Sequence, residues 1–208
     1  MSLPLQAQHQ DNRDETSWWP GSKVVLWSGD TVSGSLTLYR SQDLIYVQQP
    51  DGSSNFYTPV HVQYFITREQ LSGKTTLFRT LSWDMGRDHS DFKKPAFFEQ
   101  LNEGSYTLMR REMPLIRNPN AIDQPNQQHS FSTVSTYTQD NTPLGYAPNR
   151  YYMLLPNGEV VTLRNLRKDL HRLFGKKSRK VKSFVKKHNL DYEYPHRLVA
   201  IVNYYNSL

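Results

Sequence analysis

Between Lys23 and about Leu81 the chain is a series of short stretches in which apolar and polar residues alternate, each closed by turn-forming residues. "KVVLW" and "TVSGSLTLY" flank Ser28-Gly29-Asp30, and "DLIYVQQ" and "NFYTP" flank Pro50-Asp51-Gly52. A two-residue period places one side of each stretch on a core and the other in water, and regular spacing by turns predicts an antiparallel meander. "VHVQYFI" extends it, with Val60, Val62, Tyr64 and Ile66 expected on one side. "TTLFRTL" and "SYTLMRREM" continue the series. Phe97, Phe98 and Leu101 predict a short helical or extended plug between them, ending at Gly104, and "YYMLLPNGEVV" supplies a last hairpin across Asn157-Gly158.

The period then changes. Leu163, Leu166, Leu170, Leu173 and Phe174 follow helical spacing, with Thr162 placed to cap the start and Gly175 to stop it. Val181, Phe184, Val185 and His188 form a second stripe. Pro195 suits the first turn of a third helix, whose apolar side is Leu198, Ile201, Val202 and Tyr205. The expected fold class is α+β: an antiparallel β-rich body (meander, sandwich or partial barrel) followed by a three-helix C-terminal unit. The domains expected are a leader remnant and disordered start over 1–20, a β-rich domain over 21–161, and the helical unit packed on it over 162–208. Residues 117–149 are rich in Asn, Gln, Ser, Thr and Pro and read as a long mobile loop.

Composition narrows the chemistry. The 208 residues include no cysteine, which removes disulfides, thiolate catalysis and zinc-thiolate sites together. A mean hydropathy of −0.72 is polar for a globular chain, but 4 Trp, 13 Tyr and 9 Phe argue for a packed core. No apolar stretch approaches the roughly 20 residues that span a bilayer. "LPLQAQ" (Leu3 to Gln8) has the form of the end of an apolar leader with a small-residue cleavage site near Ala7, which predicts export to the periplasm or cell envelope.

The net charge of +6 is unevenly spread: residues 164–197 hold twelve Lys or Arg against three acids, Asp169, Asp191 and Glu193. On a helix, Arg179, Lys180, Lys182, Lys186 and Lys187 surround the Val181 stripe, as on any solvated helix face. The same five residues are the candidate binding set for an anionic surface or polymer, and a helix–turn–helix reading would make them a DNA contact. Bulk charge without a pattern of base-reading side chains favours the solvated or polymer-binding face.

Other motifs are weaker. "WDMGRDHSD" gathers Asp84, Asp88, His89 and Asp91, weak candidates for metal ligands or a general acid and base, in an order that matches no calcium loop. "SGKTT" (Ser72 to Thr76) imitates the end of a phosphate loop but has Arg68 where the first Gly belongs. No motif implies a cofactor or nominates a nucleophile. Trp18, Trp19, Trp27, Trp83 and the tyrosines are strand-packing residues by default, and on an open sheet face they would make a stacking platform for sugars or peptides.

The order of segments "GSKVVLWSGDTVSGSL", "FYTPVHVQYF", "FFEQLNEGSYTLMRRE" and the basic tail closing on "LVAIVNYYNSL" resembles a family of uncharacterised exported proteins of Gram-negative bacteria. The resemblance covers most of residues 21–208 through Gly29-Asp30-Thr31, Phe97 to Leu108 and Tyr205-Asn206. It implies export and an envelope setting and carries over no catalytic residue. The first expectation for function is therefore a non-enzymatic exported module that binds a protein partner or an anionic envelope polymer. A nucleic-acid-binding protein using the basic helices over 164–197 is the alternative, and a hydrolase using the Asp84 to Asp91 loop is the second.

Overall fold

The computed structural model describes residues 16–85, 91–112 and 149–208. Their strands form one ten-stranded antiparallel sheet: β1 (Thr16–Leu26), β2 (Thr31–Tyr39), β3 (Leu44–Gln48), β4 (Ser54–Tyr57), β5 (Val62–Arg68), β6 (Thr75–Trp83), β7 (Lys94–Gln100), β8 (Thr107–Glu112), β9 (Asn149–Leu154) and β10 (Val160–Leu163). Strand order is β10-β9-β8-β7-β6-β5-β1-β2-β3-β4, a meander interrupted once where β5 returns to pair with β1. Strand β1 begins at Thr16, inside the stretch read as a disordered start, and the Phe97 plug is part of β7. The long polar stretch over 117–149 falls, up to residue 148, outside the described residues.

The sheet is rolled twice, in opposite senses. Leu38 and Ile45 on β2 and β3 share a core with Phe65, Phe78 and Phe97 on β5, β6 and β7, although several strands separate them in the sheet. Only a sheet curled toward that face brings them together. Phe98 projects to the other face, because successive strand residues alternate. There it joins Trp83, Met109, Tyr152 and Val160 in a second core, and Trp83 Nε1 donates to Thr162 Oγ1 at 3.1 Å, tying β6 to β10. Each roll buries aromatic rings that meet edge to face, as in the Trp83, Phe98 and Tyr152 group.

One ion pair sits at the seam between the rolls. Strands β7 and β8 are paired only at Glu99–Arg110 and Gln100–Met109. Asp43, on the β2–β3 turn, reaches the gap beside them: its carboxylate accepts from Arg111 Nη1 and Nη2 at 2.9 and 3.1 Å and from the Phe97 N–H at 3.3 Å. Arg40–Glu112 and Arg110–Glu99 contacts flank it. Nothing in the sequence marks these six residues as neighbours.

Alternation in β5 departs from expectation. Val62 and Phe65 are fully buried, whereas Val60 is 63% exposed and Tyr64 and Ile66 are half-buried. The β1–β5 register shifts between Val25 and Leu26, opposite the start of β5. A one-residue slip exchanges the faces of every residue beyond it.

The three-helix C-terminal unit is not what forms. Residues 166–187 make a single 22-residue helical run whose two arms, α1 (Leu166–Phe174) and α2 (Ser178–Lys187), are joined by a 3-10 turn over Gly175–Lys177; a short helix, α3 (Pro195–Asn206), follows. Gly175 has the sequence signature of a helix stop. Its φ of 51° instead bends the run, and Lys177 and Ser178 are already in helical conformation, so no loop separates the arms. The start is capped by Asn165, whose side chain accepts from the Lys168 N–H, rather than by Thr162, which lies in β10. Among the described residues no helix is long and apolar enough to cross a membrane.

Both helices lie on one face of β8–β10. Leu170, Phe174, Val181, Leu198, Ile201, Val202 and Tyr205 pack on Leu108, Tyr151, Met153 and Leu163, with Leu166 and Val185 half-buried beside them. Phe184, which the stripe pattern assigns to this core, is only half-buried and stands outside it. The end of α3 is latched to the β7–β8 connection: Asn206 accepts from the Tyr106 N–H and donates to its carbonyl, and Asn102 donates to Asn203. Gly104 (φ 133°) makes room for this, since a Cβ there would lie 2.4 Å from Asn206 Nδ2.

Candidate functional site

The basic helix α2 buries Val181 completely and Val185 partly, which fixes its rotation against the shared core. At about 100° per residue, Phe184 then falls on the flank that faces α3, with Lys180, Lys187 and His188 one turn away from it. Tyr204 of α3 meets it: the two rings stack at a centroid distance of 4.0 Å and an interplanar angle of 6°, and the His188 ring lies 4.5 Å from Phe184. These three rings floor an open hollow of about 520 Å³ rimmed by Arg179, Lys180, Ser183 and Lys187.

Among the described residues no acid lines this hollow. Among the described residues none of Arg179, Lys180 and Lys187 forms a salt bridge, and all three side chains are exposed. Three uncompensated cations around a half-exposed ring stack give a positive potential beside a π surface, a combination that holds flexible anions by charge and flat groups by stacking. The five basic residues read from sequence therefore divide. Arg179, Lys180 and Lys187 converge on the hollow, whereas Lys182 and Lys186 project from the opposite flank. Phe184 was visible in the sequence as an apolar stripe member, but its partner Tyr204 comes from another helix and carries no local signal.

Lys182 acts on a different group. The His171 ring on α1 bridges Tyr192 (Nε2 to Oη, 2.7 Å) and Ser178 (Nδ1 to Oγ, 2.9 Å), so one imidazole ties both arms of the bent helix to the segment before α3. Burial first, then the charges of Lys182 and Arg167, hold its pKa below the ordinary value of 6.5. An unfolded chain then binds this proton more readily than the folded one. The stability due to neutral His171 is fully present above pH 6.5 and is lost as pH falls toward the lowered folded value. Urea unfolding on either side of that pH is expected to show weaker stability on the acid side, and His171→Gln to reduce the difference.

A second, polar cleft of about 450 Å³ lies between the end of β6 and α1, lined by Asp84, Glu159, Thr162, Arg164, Lys168 and Asp169 among others. Asp169 is occupied structurally, accepting from the Arg164 and Asn165 N–H groups at 2.9 and 2.8 Å and pairing with Arg172 at 3.3 Å. Of the weak metal candidates, Asp84 lines this cleft, Asp91 opens the segment before β7, and Asp88 and His89 lie outside the described residues. Among the described residues no group of three or more ligating side chains could hold a metal ion.

Comparison with protein-family models, with curated proteins and with solved structures returns no match.

Proposed function

We propose that this chain is a non-enzymatic binding module that holds an anionic polymer on the α2–α3 shelf. The observation that carries the reading is the convergence of Arg179, Lys180 and Lys187, with no acid among them, on the half-exposed Phe184–Tyr204 stack. A long-range positive field attracts any polyanion, and an open hollow with flexible lysines on its rim discriminates little between sequences. The leader-like stretch over Leu3–Gln8 and the resemblance to exported envelope proteins support an envelope polymer as the occupant. Cell fractionation tests the compartment.

Binding of the full chain to an acidic polysaccharide and to a pool of DNA duplexes, measured across salt concentrations, tests the function. Binding is expected to weaken steeply with salt and to fall about tenfold or more when Arg179, Lys180 and Lys187 are replaced by Ala together. Replacement of Lys182 and Lys186 is expected to cost less, because those two only add to the general field. Sequence-selective DNA binding that persists at moderate salt would replace this reading with the nucleic-acid one, and equal losses from both sets of basic residues would dissolve the shelf as a site.

A further inference from the structure

The outer face of the β1–β4 end of the sheet carries an ordered set of side chains that the basic shelf does not use. Strand register places Trp18, Thr37, Tyr46 and Phe56 directly opposite one another on β1, β2, β3 and β4. Their neighbours in sequence, Leu36, Ile45 and Val47, point inward and are fully buried, so this row points out. Trp18 is 59% and Phe56 60% exposed, and the Tyr46 and Phe56 rings lie 4.9 Å apart at 47°. Core packing explains none of these three rings.

A second row runs beside the first. Two residues along each strand, Ser35, Gln48 and Ser54 are also in register, about 7 Å from the aromatic row. Neither row contains a charge. The surface is thus a line of rings spread over about 14 Å, three strand spacings, flanked by a line of hydroxyl and amide groups. That chemistry is complementary to a neutral extended polymer whose repeating units have an apolar flat face and a polar hydroxyl edge. An acidic or basic peptide would find no counter-charge within these two rows, Lys23 lying beyond them on the same face in register with Ser33, and a purely apolar partner would leave the polar row unmatched.

We infer that this face binds a neutral polysaccharide chain, with Trp18, Tyr46 and Phe56 stacking on sugar rings and Gln48 and its row hydrogen-bonding their hydroxyls. The inference does not depend on the anionic shelf. The two differ in salt response, since stacking and neutral hydrogen bonds are little screened.

The test is retention of the full chain on insoluble β-1,4-linked glucan and on insoluble β-1,4-linked N-acetylglucosamine polymer, with Trp18→Ala, Phe56→Ala and Gln48→Ala compared. The expected result is retention on at least one of them that changes little with salt and falls about tenfold for either ring variant, with a smaller loss for Gln48→Ala. Both rings are exposed, so the variants are expected to keep the parent's circular dichroism and unfolding midpoint. No retention on either polymer, or retention that the ring variants leave unchanged, would overturn the assignment. So would concentration-dependent self-association abolished by the same variants, which would give the row to contact between two copies of the chain.

Discussion

Asp43→Ala is expected to destabilise the protein by about 3–5 kcal/mol, the cost of stranding one partner of a buried ion pair. Arg111 is largely enclosed, with its side chain 11% exposed, and Asp43 receives two of its N–H groups. The guanidinium also donates to the Phe97 carbonyl and lies over the faces of Trp83 and Phe98, with its carbon 5.6 and 5.1 Å from the ring centroids. A carbonyl and two rings do not replace a carboxylate in a poorly solvated site. The same substitution leaves the Phe97 N–H without its acceptor and loosens the β2–β3 turn from the seam between the rolls. Asp43→Asn separates these contributions in part. It keeps a residue type that tolerates the φ of 50° found there and an amide oxygen to accept from the Phe97 N–H, while removing the charge together with one of the two acceptors that face Arg111. Equilibrium urea unfolding is the measurement. A loss below about 1 kcal/mol, the range of exposed pairs, would show that water reaches Arg111.

Phe174→Ala is expected to cost about 3–5 kcal/mol, whereas Phe184→Ala, ten residues on in the same helical run, is expected to cost far less. Phe174 is 2% exposed at the end of the first arm and stacks on Tyr205 at 4.3 Å, so its loss opens a cavity between the bent helix, α3 and the sheet. Phe184 is half-exposed and its main contact is the Tyr204 ring. Truncation there leaves no closed cavity, so only the transfer of part of a ring is lost. The pair therefore tests the division of the helical run into a packing arm and a binding arm. Equal midpoint shifts for the two variants would place Phe184 in the core and remove the aromatic floor of the shelf.

What the sequence determined by itself were the local elements. Alternation and turn residues are short-range properties, and they located most strands of the first half, the hairpin at Asn157-Gly158 and the buried faces of α1 and α3 through Leu170, Phe174, Leu198, Ile201 and Val202. The charge of the basic segment was equally legible, because seven Lys or Arg within residues 175–189 need no partner to be noticed.

Everything that depends on a second element was decided only by the tertiary structure. The Val62 and Phe65 faces were set by a register shift against β1, and Gly175 became a bend because its positive φ and the following 3-10 turn let α2 continue where a stop was expected. The Asp43–Arg111 pair spans 68 positions, and the Phe184–Tyr204 stack and the Trp18–Thr37–Tyr46–Phe56 row each join residues with no common period. Periodicity reports which side of an element is apolar. Which apolar or charged side meets which is a matter of packing geometry between elements, and on this chain both proposed binding faces arise there.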